Sequence, residues 1–367
     1  MINSYRCIFF LLGGIISKLF FRLLPVAIIS CIFILGCTPD HPQSTFNVAG
    51  PVAESQLTLF YWILAAAVFV FVIVTAILFW AVFRYRRKVD DKDPEQIHGN
   101  TKLEIAWTIL PAIILVFVAI PTVITIFDNA NSPCTYEEGC LEVTVEAAQW
   151  FWNFTYKDPS NPDLEVMTSN EMRIPVDEVV NIRLTSRDVL HSFWIPNIAG
   201  KLDIVPNRVN TMWIQSNIEG EFYAQCAEFC GIAHALMSFR VYADSRDEFN
   251  EWMKLQATEA SIPAEPLALE GKKLFEGEKQ CYACHKVLGT KARSNVGPDL
   301  THVASRTQLA AGILDNTQDN LRKWLEDPES IKPGNKMARQ ATVYTDETKK
   351  LDDPEISAIV AYLQTLK

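Results

Sequence analysis

Two long hydrophobic runs without a charged side chain constrain the fold of this chain most strongly. Residues 57–83 and residues 105–127 are each long enough to cross about 30 Å of hydrocarbon as a helix. Uncharged runs of this length are rare in water-soluble cores, so a buried soluble hairpin is the weaker interpretation. We therefore predict a transmembrane helical hairpin at residues 54–128, in contact with a lipid bilayer.

The loop between the two runs predicts the orientation of the hairpin. It begins with the basic segment Arg84-Tyr85-Arg86-Arg87-Lys88. Clusters of Arg and Lys in short loops stay on the cytoplasmic side of a membrane. Everything that follows the second run is therefore expected outside the cytoplasm.

The N-terminal segment, residues 1–36, is predicted to be a secretion signal. Its apolar stretch at residues 23–35 follows several basic side chains and is too short to span a bilayer comfortably. Residues 34–37 resemble a bacterial lipobox, so Cys37 is the expected lipidation site. An uncleaved anchor helix is the weaker alternative.

Length and charge limit the remaining classes of protein. A chain of 367 residues fits two or three modules. The formal net charge of −10 argues against a nucleic-acid partner and leaves a cationic protein partner open. The sequence carries no nucleotide-binding loop, hydrolase triad or internal repeat.

From Leu141 onward, hydrophobicity alternates with a period of two within the domain predicted at residues 129–257. Turn-forming residues separate the alternating runs, as in a chain of short strands. The pattern predicts an antiparallel β-sandwich or β-barrel. Sets of apolar residues that share one strand face are Val143, Val145 and Ala147, and then Val180, Ile182 and Leu184.

A cluster of metal-binding residue types lies near the end of this domain. Within twelve residues the chain carries Cys226, Cys230, His234 and Met237. Thiolate and thioether are soft ligands that suit copper, and imidazole suits it too. A disulfide would explain the Cys pair alone, but the full string is hard to obtain by accident. His191 supplies a second imidazole, so two bridging thiolates and one His per metal would hold two copper ions.

This string, with residues 188–191 (Asp-Val-Leu-His) and residues 149–152 (Gln-Trp-Phe-Trp), resembles subunit II of cytochrome c oxidase. The resemblance spans roughly residues 54–242 and implies a cupredoxin-like antiparallel β-barrel with a binuclear copper centre. The ligands that it implies are His191 and His234, one on each copper, the bridging Cys226 and Cys230, Met237 on one metal, and the main-chain carbonyl of Glu228 on the other.

The resemblance implies three further roles. The carboxylate of Glu228 reaches a magnesium ion at the border with subunit I, electrons enter at Trp150, and Glu104 lies at the entrance of a proton channel in subunit I. On residue pattern alone, Trp150 also fits an interface or core aromatic. Glu104 fits a helix-end anchor about as well, since only acids deep within the bilayer are functional by default.

A second redox module follows a polar linker at residues 258–266. The string Cys-Tyr-Ala-Cys-His is the attachment pattern for haem c, in which Cys281 and Cys284 bind the haem covalently and His285 is the proximal ligand. A redox dithiol or half of a zinc site is the weaker alternative. Residues 267–367 are therefore expected to form an all-α class I cytochrome c domain.

Two later segments supply the rest of the expected haem site. Residues 295–300 resemble the segment whose proline carbonyl, here that of Pro298, orients the proximal His. Residues 331–337 resemble the loop that brings the second axial ligand. Met337 is the only Met after the attachment pattern, so a buried core role is the weaker alternative. Met/His ligation raises the reduction potential, as an electron carrier that feeds copper requires.

Two smaller features complete the pattern. Cys134 and Cys140 lie in a short polar stretch outside the cytoplasm, where a disulfide and two free thiols are about equally expected. His302 has no motif around it, so we expect it at the surface.

The two redox modules define one expected function. We interpret the chain as subunit II of a respiratory oxidase in the bacterial plasma membrane, with both redox domains on the periplasmic side. Electrons from a donor cytochrome c or a bc complex would pass through haem c and the copper pair to subunit I. Oxygen is reduced there and protons are translocated, so the chain is enzymatic only within a complex with subunits I and III.

Several other functions compete with this one. The small subunit of a copper-containing nitric oxide reductase is the main alternative. Nitrous oxide reductase needs a His-rich catalytic cluster, and only six histidines are present. A quinol oxidase subunit of this fold lacks the copper ligands. A copper-delivery protein would explain the Cys, His and Met ligands, but not a covalent haem or paired membrane helices.

Overall fold

The structure is a computed structural model that describes residues 41–87, 96 and 98–367. The predicted signal and Cys37 lie outside these residues. The first two described helices, α1 (Pro51–Arg84) and α2 (Thr101–Ala130), contain the two hydrophobic runs. Both helices are longer than the runs because their polar ends continue the helix. Each is long and apolar enough to cross a membrane.

The start of α1 is joined to the extracytoplasmic domain. The amide of Ala49 donates to the carbonyl of Asn197 at 2.7 Å, and the carbonyl of Ala49 accepts from the amide of Asn217 at 2.7 Å. A Cβ on Gly50 would lie 2.0 Å from the carbonyl oxygen of Gln215, so only glycine fits at this crossing. The membrane helix therefore begins in contact with the folded β domain.

The β domain is a sandwich of two five-stranded sheets, with strand orders β3-β2-β1-β5-β8 and β4-β10-β9-β6-β7. The sheets are mixed, since β1 pairs with β5 and β4 with β10 in parallel, while the other pairs are antiparallel. The strands are β1 (Leu141–Ala148), β2 (Phe151–Lys157), β3 (Glu165–Ser169), β4 (Glu171–Pro175), β5 (Val180–Ser186), β6 (His191–Trp194), β7 (Leu202–Ile204), β8 (Asn210–Ile214), β9 (Gly220–Cys226) and β10 (Ser238–Asp244).

The predicted alternation correctly identifies the inward faces of the strands. On β1, Val143, Val145 and Ala147 are fully buried, while the residues between them are partly exposed. Helix α3 (Arg246–Gln256) follows the sandwich and is capped by Ser245, whose side chain accepts from a backbone amide of the first turn. The strand period of two thus separates core from surface as expected.

A disulfide lies between α2 and β1. Cys134 and Cys140 are bonded, with their Cα atoms 6.0 Å apart. The carbonyl of Cys134 also accepts a hydrogen bond from the side chain of Asn181 at 3.0 Å. The bond closes a small loop where the chain leaves the second membrane helix.

The C-terminal domain is built mainly from helices. The first and last helices cross closely, because a Cβ on Gly271 would lie only 1.9 Å from the carbonyl oxygen of Ala358. A two-stranded sheet of β11 (Gln308–Leu309) and β12 (Leu314–Asp315) interrupts the helices. The helices are α4 (Pro266–Glu276), α5 (Gln318–Glu326), α6 (Pro328–Ile331), α7 (Lys336–Gln340), α8 (Thr342–Thr345) and α9 (Asp353–Leu363).

The expectation for His302 is wrong. This residue is only 3% exposed, and its Nε2 lies 3.2 Å from the carbonyl oxygen of Thr258. The segment between the domains packs back on the C-terminal domain, where the amide of Ala260 donates to the carbonyl of Leu288 at 3.1 Å. His302 is buried because this segment contacts it, a tertiary contact that no local motif reveals.

The two extracytoplasmic domains pack against each other. The amide of Ser238, at the start of β10, donates to the carbonyl of Ala311 at 3.1 Å. The carboxylate of Glu171, at the start of β4, accepts from the hydroxyl of Thr307 at 2.8 Å. The second domain therefore rests on the strand starts of one sheet of the sandwich, the sheet that also contains β6 and β9.

Candidate copper and haem centres

Three strand ends bring the predicted copper ligands together. His191 is the first residue of β6, and Cys226 is the last residue of β9, which pairs with β6 in the antiparallel direction. The loop from Cys226 carries Cys230 and His234, and it returns at Met237, immediately before β10. The amide of Cys226 donates to the carbonyl of Met237 at 2.9 Å, which closes the loop.

The ligand atoms lie within a few ångströms of one another. The two thiol sulfurs, Cys226 Sγ and Cys230 Sγ, are 3.7 Å apart. His191 Nδ1 is 3.8 Å from the first sulfur, and His234 Nδ1 is 3.5 Å from the second. Met237 Sδ lies 3.9 Å from the Cys230 sulfur. The two imidazoles thus approach different sulfurs of the pair, an arrangement suited to two soft cations that share both thiolates.

The main chain supplies one further acceptor at this cluster. The carbonyl oxygen of Glu228 lies 3.2 Å from Cys226 Sγ, while the Glu228 side chain is half-buried. Two thiols, two imidazoles, a thioether and a carbonyl oxygen are the donor types that the sequence analysis assigned to copper. The donor set therefore fits a binuclear copper centre.

Most of the predicted copper ligands are buried, and hydrogen bonds shift the pKa values of the two thiols. His191, Cys226, Cys230 and Met237 are each at most 5% exposed. A hydrogen bond from the Cys230 thiol, together with one from His191, holds the pKa of Cys226 well below its usual range despite burial. The same sulfur–sulfur hydrogen bond raises the pKa of Cys230. The two shifts are opposite because the two sulfurs lie only 3.7 Å apart.

Asp188 orients the buried imidazole. Its Oδ1 lies 3.0 Å from His191 Nε2, which leaves His191 Nδ1 facing the sulfur of Cys226. Although partial burial acts in the opposite direction, hydrogen bonds from His191, the amide of Gln149 and Lys336 hold the pKa of Asp188 well below its usual value. An ionised carboxylate behind a ligating His fixes the tautomer of the ring.

Trp150 touches the copper cluster directly. Its indole Nε1 donates to the carbonyl of Cys230 at 3.0 Å, and the ring is 8% exposed. Gly231 makes room for this ring, because a Cβ there would lie 3.0 Å from Trp150 Cζ2. Gly231 also has φ +113°, a conformation that favours glycine. The aromatic ring therefore lies one hydrogen bond away from Cys230, a predicted copper ligand.

The haem-attachment residues lie at the edge of the core of the C-terminal domain. The segment Cys281–Ala283 forms a short 3₁₀ helix, and the amide of His285 donates back to the carbonyl of Cys281 at 3.1 Å. Both thiols are partly exposed rather than enclosed in a disulfide. They are thus free to form thioether bonds.

The proximal histidine is held in one orientation. His285 Nδ1 lies 2.9 Å from the carbonyl oxygen of Pro298. A Cβ on Gly297 would lie 2.9 Å from His285 Cε1, so the ring fits only beside glycine. Burial lowers the pKa of His285, which favours the neutral imidazole that a metal needs. The other ring nitrogen, Nε2, is left to bind haem iron.

Met337 lies in α7 and packs against the core of the C-terminal domain. Asn335 caps this helix by accepting from the amide of Ala338 at 2.8 Å. Free thiols, an oriented imidazole and a thioether in one domain fit a covalently bound haem.

Glu104 lies far from both centres. It is an exposed residue in the first turn of α2. The β domain follows the other end of this helix, roughly 40 Å away at 1.5 Å per residue. Within the described residues, Glu104 therefore contacts neither predicted redox site.

Sequence reasoning assigns no individual role to Asp188, Gly231, Gly297 or Lys332. An acid three residues before His191 is the signal that could have identified Asp188. The two glycines lie beside the ligand strings, but only the close approach of a ring shows why glycine is required. Lys332 donates to the carbonyl of Trp150 in the other domain at 2.7 Å, and no local pattern predicts such a contact.

Two paired membrane helices, a β-sandwich with copper-binding residue types and a cytochrome-like domain together define a membrane-bound electron-transfer subunit. Family comparisons agree with this class. Three family descriptions match the chain: cytochrome c oxidase subunit II, transmembrane domain, at residues 40–124; the periplasmic domain of the same subunit at residues 160–243; and cytochrome c at residues 268–367.

Curated relatives are similar over most of the chain. Cytochrome c oxidase subunit 2 of Alkalihalophilus pseudofirmus is 36% identical over 94% of this chain and 97% of its own length. The subunit 2 proteins of Bacillus sp. strain PS3 and Bacillus subtilis are 38% and 35% identical, over 80% and 98% of their own lengths. The chain belongs to the cytochrome c oxidase subunit II family.

Family membership confirms the coarser predictions. The chain is a membrane protein with two transmembrane helices, an extracytoplasmic cupredoxin-like domain and a C-terminal cytochrome c domain. These domains imply that it binds copper and haem. As subunit II of an oxidase, it acts in a complex with other oxidase subunits.

Proposed function

We propose that this chain is the subunit through which electrons enter a respiratory haem–copper oxidase. A donor cytochrome c or a bc complex delivers electrons to the haem c domain. They continue through the copper pair to subunit I, where oxygen is reduced and protons are translocated. The complex lies in the bacterial plasma membrane with subunits I and III, and both redox domains face the periplasm.

The contact of Trp150 with both domains is the observation that carries this proposal. Its indole donates to the carbonyl of Cys230 at 3.0 Å, and its own carbonyl accepts from Lys332 at 2.7 Å. Lys332 belongs to the loop that leads to Met337. One residue thus connects a copper ligand to the haem-ligand loop, as a direct route between the two centres requires.

The residues assigned to each centre have separate tasks. His191, Cys226, Cys230, His234, Met237 and the carbonyl of Glu228 would hold two copper ions, and Cys281, Cys284, His285 and Met337 would hold haem c. These groups supply reversible one-electron chemistry when bound. The protein supplies the fixed geometry: Asp188 and Pro298 hold the His rings, and burial excludes water from the copper ligands.

Three further assignments in this proposal rest on resemblance: two to the oxidase subunit II family, and that of Cys37 to the bacterial lipobox. The Glu228 carboxylate reaches a magnesium ion at the border with subunit I, and its half-buried side chain leaves it accessible to a second subunit. Glu104 lies at the cytoplasmic end of the hairpin, where a proton would be taken up. Cys37, outside the described residues, is lipidated after signal cleavage.

Gas consumption by the intact complex tests the proposed reaction. The tagged complex is purified from its native membranes and supplied with reduced cytochrome c, while oxygen and nitric oxide are followed in parallel. We expect cyanide-sensitive oxygen uptake. Consumption of nitric oxide without oxygen turnover would instead assign the chain to a nitric oxide reductase and contradict the proposal.

A further inference from the structure

Lys332 is an unusual residue for its position. Its side chain is 3% exposed, although lysines are almost never fully buried unless they are paired. Its Nζ donates to the carbonyl of Trp150 at 2.7 Å and to the carbonyl of Ala310 at 2.9 Å. The first acceptor belongs to the copper domain and the second to the haem domain. A single side-chain nitrogen therefore bonds to both domains.

A second buried lysine shows what is different about Lys332. Lys279 is 8% exposed and lies within the haem domain, where its Nζ forms an ion pair with Glu355 at 2.7 Å. That pair stabilises one domain internally. The two hydrogen-bond acceptors of Lys332 are neutral main-chain carbonyls, and burial lowers the pKa of its amine to about 7. Burial of this amine is costly, and its two hydrogen bonds, one of which crosses the domain contact, offset that cost.

The backbone around Lys332 supports the same conclusion. Ala310 and Ala311 have φ +55° and φ +64°, a left-handed conformation that non-glycine residues rarely adopt. Their carbonyls point to interface donors: that of Ala310 accepts from Lys332, and that of Ala311 accepts from the Ser238 hydroxyl at 2.9 Å. Strained backbone persists where the surrounding contacts hold it. The loop is thus shaped by the contact between domains.

Packing places the haem-ligand loop directly on Trp150. Gly334, two residues after Lys332, approaches the indole so closely that a Cβ would lie 3.3 Å from Trp150 Cη2. Its φ of +83° also favours glycine. The loop that ends at Met337 therefore contacts the aromatic ring at one point and its carbonyl at another.

We propose that Lys332 is a positioning residue, which fixes the haem-ligand loop on Trp150 and thereby sets the rate of electron transfer between the haem and copper centres. This inference rests on the proposed function above. Lys332 touches neither centre in this role. It holds Trp150 and the loop of residues 310–312 in a fixed relative position, so replacement of Lys332 moves the two domains relative to each other.

The test compares Lys332→Met with the matched control Lys279→Met in the purified oxidase complex. Methionine keeps an unbranched side chain of similar length but cannot donate. After flash reduction of haem c, the absorbance of each centre is followed with time. We expect transfer to slow roughly tenfold in Lys332→Met, since small misplacements of reacting groups have effects of this size. Lys279→Met should lose thermal stability and keep the wild-type transfer rate.

Hydrogen exchange gives a readout that does not depend on electron transfer. The amides of Ser238 and Thr307 donate across the domain contact. They should exchange roughly tenfold faster in Lys332→Met, the factor that corresponds to about 1.4 kcal/mol, and remain unchanged in Lys279→Met. The haem spectrum and the copper paramagnetic resonance signal should match those of the wild type in both variants.

Each outcome decides the proposal. Wild-type transfer and exchange rates in Lys332→Met would overturn it, as would an altered copper signal, which would place the effect on the metal site. If Lys332→Met does not assemble, Lys332→Gln decides by the same two readouts. Absence of electron transfer from haem to copper in the wild-type complex would contradict the proposed function. Hydrogen exchange would still test the role of Lys332 in the contact between the two domains.

Discussion

The copper domain and the haem domain hold their ligands in different ways. In the copper domain, His191 begins β6, Cys226 ends β9 and Met237 precedes β10, so the hydrogen bonds between strands fix the ligand positions. In the haem domain, His285 and Met337 lie in short helical segments and turns. The predicted copper ligands are thus positioned by the sheets, whereas the predicted haem ligands are positioned by short helices and loops.

Each domain also uses a glycine to admit a ring at its centre. Gly231 makes room for Trp150, and Gly297 makes room for His285. Each centre has one side chain or carbonyl that orients a ligating histidine, Asp188 in the first and Pro298 in the second. The difference between the domains therefore lies in what carries the ligands, not in how the rings are oriented.

Removal of a bridging thiolate should have the largest effect and test whether the centres are independent. In Cys226→Ser we expect loss of the copper signal and a fall in oxygen uptake of at least about a hundredfold, because even outer-shell changes cost up to that factor. The haem spectrum should persist. Cys134→Ser, which breaks the Cys134–Cys140 disulfide, is the control and should keep the copper signal. A lost haem spectrum in Cys226→Ser would show that the haem domain requires an intact copper site.

Replacement of the second haem ligand should have the next largest effect. Met337→Leu removes the thioether while it keeps an apolar side chain of similar volume. We expect covalently bound haem with a lower reduction potential, because Met/His ligation raises it, and slower reduction of copper. Redox titration of the haem band measures the shift. An unchanged potential would mean that Met337 does not bind the iron.

Substitution of Gly231 or Gly297 should have a smaller effect and tests the two domains separately. Gly231→Ala and Gly297→Ala should each destabilise one domain by about 1–3 kcal/mol, the usual cost of overpacking. Gly231→Ala should disturb only the copper signal, and Gly297→Ala should disturb only the haem spectrum. Both signals are followed while the purified complex is heated. Changes in both spectra from one substitution would contradict independent folding of the two centres.

Glu104→Gln should have the smallest effect. The residue is exposed on α2, far from both redox domains, so neither spectrum should change. We expect slower oxygen turnover because the variant cannot carry a proton at the cytoplasmic end of the hairpin. Proton uptake and oxygen consumption are measured together in reconstituted vesicles. Unchanged turnover would remove Glu104 from the proton path.

Local patterns were sufficient for the elements of both centres. The period-two alternation identified the buried face of β1, and the Cys, His and Met spacing identified side chains that meet within about 4 Å in the structure. These predictions succeed because the copper loop is short and returns to the adjacent strand. The attachment string of haem c is likewise contiguous, so its chemistry is visible without the fold.

The contact between the domains could not be predicted. Lys332 is separated from Trp150 by 182 positions, and its burial depends on how two folded units pack. His302 is buried for a similar reason, because the linker contacts it through Thr258. Such features arise from tertiary packing, which leaves no periodicity or motif in the surrounding sequence.

The linker before α4 has a kinetic consequence. A haem domain tethered by so few residues stays near the copper domain at an effective concentration in the millimolar range or above. The contact between the two domains can therefore rely on polar pairs such as Lys336 with Asp188, 2.9 Å apart, without the affinity that a free partner would need. In the proposed electron path, delivery to copper would be a first-order event, insensitive to dilution, and only the encounter with the external donor would be diffusive.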